Sequence, residues 1–199
     1  MKDPFIIGKK IYLRAHRKED LEKWCQWRND REVTKWMYAG TFPNTIELQD
    51  EFFHKVIHGE NQDHLQLAIV EIETDHLIGT HSLTAIKHIH RSAEYGMVIG
   101  EDVRGKGFGR EAAALIHWHA FSNLNLHRVW AGQHERLSQW RDTLIQWIGY
   151  QEEGVLREQM WKHNRWWNVH IIGCLCTDFW AKWQEHWRDY FRGMIEEIR

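Results

Sequence analysis

The sequence predicts one domain of class α/β with a mixed sheet, on three observations. Strand-like and helix-like segments alternate along nearly the whole chain. No linker, repeat or low-complexity tract separates them. The 199 residues are enough for one domain with a real core.

The elements follow in order. Residues 10–15, KIYLRA, alternate and read as a strand. In EDLEKWCQWRND, Leu21, Trp24 and Cys25 keep helical spacing, and REVTKWM can add one short helical turn. TFP breaks the chain. Asn44 then precedes Glu47 by three residues, like a capping box, and Leu48, Phe52 and Val56 carry a helix to a stop at Gly59. LQLAIVEI (65–72) and LIGTHSLTAI (77–86) flank a turn and predict a hairpin. SAEYGMVIG (92–100) is the next strand, followed by a glycine-rich loop. Beyond it, Ala112, Leu115, Ile116, His119 and Ala120 share a helical face, which makes His119 a packed core histidine rather than a ligand. HRVWAG (127–132) is a strand, and SQWRDTLIQWIGY (138–150) is a helix ended by Gly149. GVLREQMW (154–161) and WNVHIIGCL (167–175) are strands around a turn at KHNR. From Thr177 a C-terminal helix carries a stripe of Phe179, Trp180, Trp183, Trp187, Tyr190, Phe191 and Met194. The plainer reading of that stripe is packing on its own domain. The other is a homodimer contact, because large exposed aromatics need cover.

Composition excludes several functions. Hydrophobic residues make up 43% and charged ones 27%, as in a soluble globular protein. Lys plus Arg total 26 against 28 Asp plus Glu, a net charge of −2 that gives no general attraction to nucleic acid or anionic membrane. No apolar run approaches the roughly 18 residues of a membrane helix. MKDPFIIGKKIYLR is too weakly apolar for a signal peptide, so a cytoplasmic location is expected. Cys25, Cys174 and Cys176 suit a reducing compartment. Cys174 and Cys176 would share a strand face, but zinc sites prefer wider spacings and further ligands. Among 15 histidines, His54 and His58 lie four apart, without HExxH and without an acidic third ligand. No metal site is expected.

The informative stretch is EYGMVIGEDVRGKGFGREAAALI, 94–116. From Gly100, GEDVRGK follows the nucleotide-phosphate pattern G-x-x-x-x-G-K-[ST] until Gly107 replaces the hydroxyl residue that would hold magnesium. GKGFG also fails as a dinucleotide fingerprint, which would need glycine at Arg110 and a place after the first strand. What remains is R-x-x-G-x-G, Arg104, Gly107 and Gly109, directly after a strand and opening a helix. Glycines let the backbone approach an anion, consecutive N–H groups and the helix end favour a phosphate or pyrophosphate, and Arg104, Lys106 and Arg110 add charge.

In that setting RGKGFG resembles the acetyl-coenzyme A loop of the GNAT N-acetyltransferases, over roughly residues 10–175. YLRAHRKEDLEKWCQWRNDREVTKWM, LIGTHSLTAIKHIHRSAEYGMVIG, LNLHRVW and GYQEEGVLREQMWKHNRWWNVHIIG look most like the branch that acetylates ribosomal-protein N-termini and spermidine. The resemblance implies a mostly antiparallel sheet flanked by helices, acetyl-coenzyme A as cosubstrate, and a small-molecule or peptide amine as acceptor. It implies a strand at 95–100 that splays from its neighbour, so that the backbone of Met97, Val98 and Ile99 binds the pantetheine arm. Arg104, Gly105, Lys106, Gly107, Phe108, Gly109 and Arg110 would take the pyrophosphate, and an N–H near Met97 or Val98 would face the oxyanion. A protonated amine needs a base. Glu94 is the first candidate and Glu158 the second.

The sequence departs from the family in two places. Ser138 stands near the usual asparagine, as a weak candidate for cofactor binding and catalysis, and Ile145 stands where a tyrosine acid is common. Ser138, Tyr150 or water would then protonate the leaving thiolate. The usual NGRYxDV turn becomes HNRWWNV. On the acceptor side, Trp24, Trp27, Trp36, Met37 and Trp166 would form an aromatic wall for a cationic amine, against the plainer reading of core tryptophans, with Glu32, Glu47 and Asp50 as available carboxylates. The alternative function is a coenzyme A-binding sensor or scaffold with catalysis lost.

Overall fold

A computed structural model describes residues 1–57 and 62–184. Eight strands form one sheet in the order β1-β2-β3-β4-β5-β6-β8-β7. They are β1 (Ile6–Ile7), β2 (Ile11–Ala15), β3 (Leu65–Glu71), β4 (Leu77–Lys87), β5 (Ser92–Ile99), β6 (Arg128–His134), β7 (Gln151–Lys162) and β8 (Arg165–Leu175). Among the described residues only the β5–β6 pair is parallel, so the sheet is mixed and mostly antiparallel as expected. The short β1 was not legible in the sequence; it pairs Ile6 with Leu13 and Ile7 with Tyr12. The β7–β8 turn has His163 and Asn164 at φ +52° and +59°, the two positive values of a tight hairpin that asparagine tolerates.

The helices are α1 (Leu21–Asn29), α2 (Arg31–Thr34), α3 (Ile46–Phe52), α4 (Phe108–Ser122), α5 (Ser138–Thr143) and α6 (Cys176–Trp183). α4 is buried from 111 to 121, which is why its sequence is apolar nearly all round. It packs on one face of the sheet with Leu13, Ile69, Leu83, Val129 and Ile172, and with Leu144, Ile148 and Phe179. On the other side of the chain's core, Leu21, Trp24 and Phe53 join α1 to the α3 segment. The start of α1 is held by Arg14, whose guanidinium donates to both Asp20 carboxylate oxygens, at 2.6 and 2.9 Å.

Several local expectations shift. The cap of α3 is Thr45, whose Oγ1 accepts from Leu48 N–H, while Asn44 is tied to Asn29 instead. The helix continues as a π-turn through Ile57; the predicted stop at Gly59, and His58, lie outside the described residues. Cys174 is buried in β8, but Cys176 already begins α6, so the two do not share a strand face. His119 is buried, with its ring edge on Phe5 at 5.1 Å. The tail helix is described through Trp183; Trp187, Tyr190, Phe191 and Met194 lie outside the described residues.

Glu111 locks α4 to the sheet edge. Its Oε1 accepts from the N–H groups of Lys9, Lys10 and Ile11 at 2.5, 2.9 and 3.4 Å. Glu111→Ala removes the carboxylate, strands its three N–H donors and is expected to cost roughly 3 kcal/mol, read as a lower urea midpoint.

Candidate active site

The site begins where two strands part. β5 pairs with β6 only from 92 to 94, opposite 128 to 130. Beyond that β6 follows β8 to His134, while β5 stays on β4 through Ile99. Gly100 N–H donates to Ile78 O at 3.0 Å, which fixes the antiparallel register. The alternation of that register turns the N–H and C=O of Met97 and Ile99 away from β4 and into the split. Val98 turns its N–H to β4, so of Met97 and Val98 only Met97 presents an N–H to the split.

At the end of β5 a short 3-10 turn (Glu101–Val103) leads into the glycine loop. Gly105 and Gly107 have φ +79° and +90°. An added Cβ at either would meet nothing within 4 Å, so backbone conformation, not crowding, selects glycine there. No side chain caps α4, and its first N–H groups open onto the loop at the positive end of a 15-residue helix. Arg104, Lys106 and Arg110 are exposed around it. The space fits a pyrophosphate: an open cradle, free amides and cationic flanks.

Along this side runs a groove of about 590 Å³. It is lined by Met97, Val98, Ile99, Arg104, Gly105, Gly107, Gly109 and Arg110 from β5 and the glycine loop, by Glu32, Val33, Trp36 and Met37 from α2 and the turn after it, and by Leu137, Trp140 and Thr143 from the α5 segment. Lys162 steadies the turn after α2 by donating to the carbonyls of Thr34, Met37 and Ala39 at 2.5, 2.6 and 2.7 Å.

A second cavity, about 250 Å³, opens beside the first, and Met37, Met97 and Val98 line both. Its floor is the polar face of β4 and β5, with Thr80, Ser82, Thr84 and Gly96. Trp24 and Arg28 of α1, Gln49 and Phe52 of α3, and His64, Gln66 and His81 complete it. Thr80 O–H donates to Leu67 O, so its oxygen accepts from Gln66 at 3.1 Å and from His16 Nε2 at 2.8 Å. These bonds fix the floor. Burial lowers the pKa of His64 and pushes that of His81 down to about 3, so both are neutral.

Glu94 stands opposite Thr84, on the same face of β5 as Gly96, at the margin of this cavity. Burial raises its carboxyl pKa, which suits a general base.

Other expected site residues fall elsewhere. Glu158 has φ +53° at an irregularity of β7 and is exposed, away from the split, with its N–H on Asn168 Oδ1. Ser138 is exposed at the start of α5 and lines neither cavity, whereas Leu137, Trp140 and Thr143 of the same segment line the groove. Phe108 turns its side chain into the core, leaving only its backbone for the loop, and Lys106 projects from the rim without lining the groove. Trp27 is buried under Gly100, and Trp166 is an exposed partner of Trp161 at the hairpin end. Trp36 reaches the groove, packed on His134 and Trp167. Glu47 and Asp50 line an outer groove between α1 and α3. Tyr150 is buried with its hydroxyl 2.6 Å from His117 Nε2, and Ile145 packs against the core, so neither offers a proton at the split. Arg28, Gln49, His64 and Gln66 also line the smaller cavity, and no sequence pattern marks them. The alternation of Thr80, Ser82 and Thr84 was the one local signal of a polar floor.

A family model described as an acetyltransferase (GNAT) domain matches residues 10–144. An uncharacterized N-acetyltransferase, p20, of Bacillus licheniformis is 29% identical over 87% of this chain and 97% of its own. A spermidine N(1)-acetyltransferase of Vibrio cholerae is 29% identical over 82% of this chain and 91% of its own. The solved structure of a Vibrio cholerae spermidine N-acetyltransferase in complex with CoA and spermine superposes with a TM-score of 0.79 at 24% identity, covering 85% of this chain and 98% of that one. At that identity the likeness is one of fold.

Proposed function

The chain belongs to the GNAT acetyltransferase family and is an acetyl-coenzyme A-dependent N-acetyltransferase for a primary amine, and on that premise we propose how its residues divide the work. The observation that carries the reading is the meeting of two cavities at Met97, one leading to the glycine loop and the other to a polar pocket. Acetyl-coenzyme A supplies the acetyl thioester. The amides from 104 to 110 hold its pyrophosphate, with the cations of Arg104, Lys106 and Arg110 near. The backbone of Met97 and Ile99 aligns the arm in the split, and Met97 N–H faces the developing oxyanion. Glu94 takes the amine proton, directly or through water. A thiol with a pKa of about 8.5 leaves without a dedicated acid, so Ile145 in place of tyrosine is tolerable.

Relatives named as spermidine acetyltransferases make a polyamine one acceptor to test, beside protein N-termini and other small amines. We read the whole chain as one domain, cytoplasmic and homodimeric. Three free cysteines support the location. The long β7, exposed from 151 to 159, supports the dimer. The relatives' names do not favour a sensor that has lost catalysis.

Thiol release from acetyl-coenzyme A, followed with and without an amine panel, tests the reading; an amine-independent background throughout would refute it. Glu94→Gln is expected to lower kcat by roughly 100-fold or more with acetyl-coenzyme A binding intact. In the unsubstituted chain kcat/KM should fall as pH drops through the raised pKa of Glu94.

A further inference from the structure

We propose that the acceptor is a small primary amine that also carries a carboxylate, and that Arg28 selects it. This rests on the reading of the smaller cavity as the acceptor pocket. Arg28 enters that cavity from α1 and is half-buried. Among the described residues it has neither a hydrogen-bond nor an ion-pair partner, and burial alone lowers its pKa. A guanidinium stays charged in a protein, so a half-buried, unpaired one favours an anion beside it.

The remaining charges agree. Among the described residues no Asp or Glu lines this cavity, and its two histidines are neutral. The nearby acids are engaged elsewhere: Asp20 with Arg14, Glu32 on the cosubstrate groove, Glu47 and Asp50 on the outer groove. A polycation would therefore meet Arg28 with no counter-charge on the lining itself, and the carboxylate of Glu94 only at the margin. Gln49 also lines the cavity, only 5% exposed, and its Oε1 has no partner among the described residues. Arg28 lines the cavity from α1 and Glu94 stands at its strand-side margin, so anion recognition and proton removal act on different ends of one small molecule.

The test compares free amino acids with their carboxamides, dipeptides with an acidic second residue, and spermidine, on the parent chain and on Arg28→Gln. The parent should favour carboxylate-bearing amines over their carboxamides by at least tenfold in kcat/KM. Arg28→Gln should lower kcat/KM roughly 10- to 100-fold on the acids and little on the amides. Arg28→Lys should restore part of the preference. Preference for free amino acids over acidic dipeptides, or the reverse, tells which molecule supplies the carboxylate. Better turnover of spermidine or carboxamides, or an equal loss on acids and amides, would overturn the inference. Calorimetric binding with coenzyme A present separates the two readings. Arg28-dependent binding without thiol release overturns acetyl transfer alone, and thiol release indifferent to Arg28 overturns the carboxylate alone.

Discussion

Gly107→Val is expected to weaken acetyl-coenzyme A binding by at least roughly 100-fold and to remove turnover with it. Gly107 combines φ +90° with open space in front of its Cα, at the N-cap of α4. A β-branched residue there is strained by roughly 1–2 kcal/mol and projects its methyl groups into the cradle. Either the loop refolds, and its amides no longer converge, or the side chain fills the space the phosphates need. Gly107→Ala should be intermediate. Isothermal titration with acetyl-coenzyme A checks both, and near-normal affinity in the valine variant would mean that the loop is not the phosphate cradle.

The second large effect is acid lability. Burial pushes His81 down to about 3 and His117 and His119 down to about 4, against roughly 6.5 in an unfolded chain. The folded state thus holds three neutral imidazoles that the unfolded state would protonate. Their contribution is complete above about pH 6.5 and is lost as pH falls towards the folded values. The loss is roughly 2 kcal/mol per histidine by pH 5, a large fraction of the 5–15 kcal/mol typical of a domain. Urea unfolding measured from pH 7.5 to 5 should show this slope. His81→Leu should reduce it by about one proton, since among the described residues neither ring nitrogen of His81 has a partner to lose. A flat profile over that range would contradict the placement of these side chains.

The parts of the site that were legible in the sequence are local ones. Strand, glycine loop and helix follow one another within 92–122, and the positive φ values at Gly105 and Gly107 are what glycine in that order suggests. The place of Glu94 early in β5 was legible from the same order. The pocket floor was not, because it is assembled from α1, α3, β4 and the segment at 64–66, which only the fold brings together. Trp24 and Trp27 show the limit of periodicity. They share a helical stripe, but a rise of about 4.5 Å between them carries one to the cavity and the other under Gly100. Glu158 shows another limit. The register of β7 slips between Leu156 and Met160, and a slip changes which face a side chain takes without leaving a mark in the alternation.

The most direct test is a crystal structure with coenzyme A and an acceptor amine bound together. It should show the pyrophosphate on the 104–110 amides, the thiol in the β5–β6 split beside Met97 N–H, and the amine in the cavity of Thr84 and His64, within reach of Glu94. An amine seated instead in the outer groove between α1 and α3, or a coenzyme A that bypasses the split, would contradict the account.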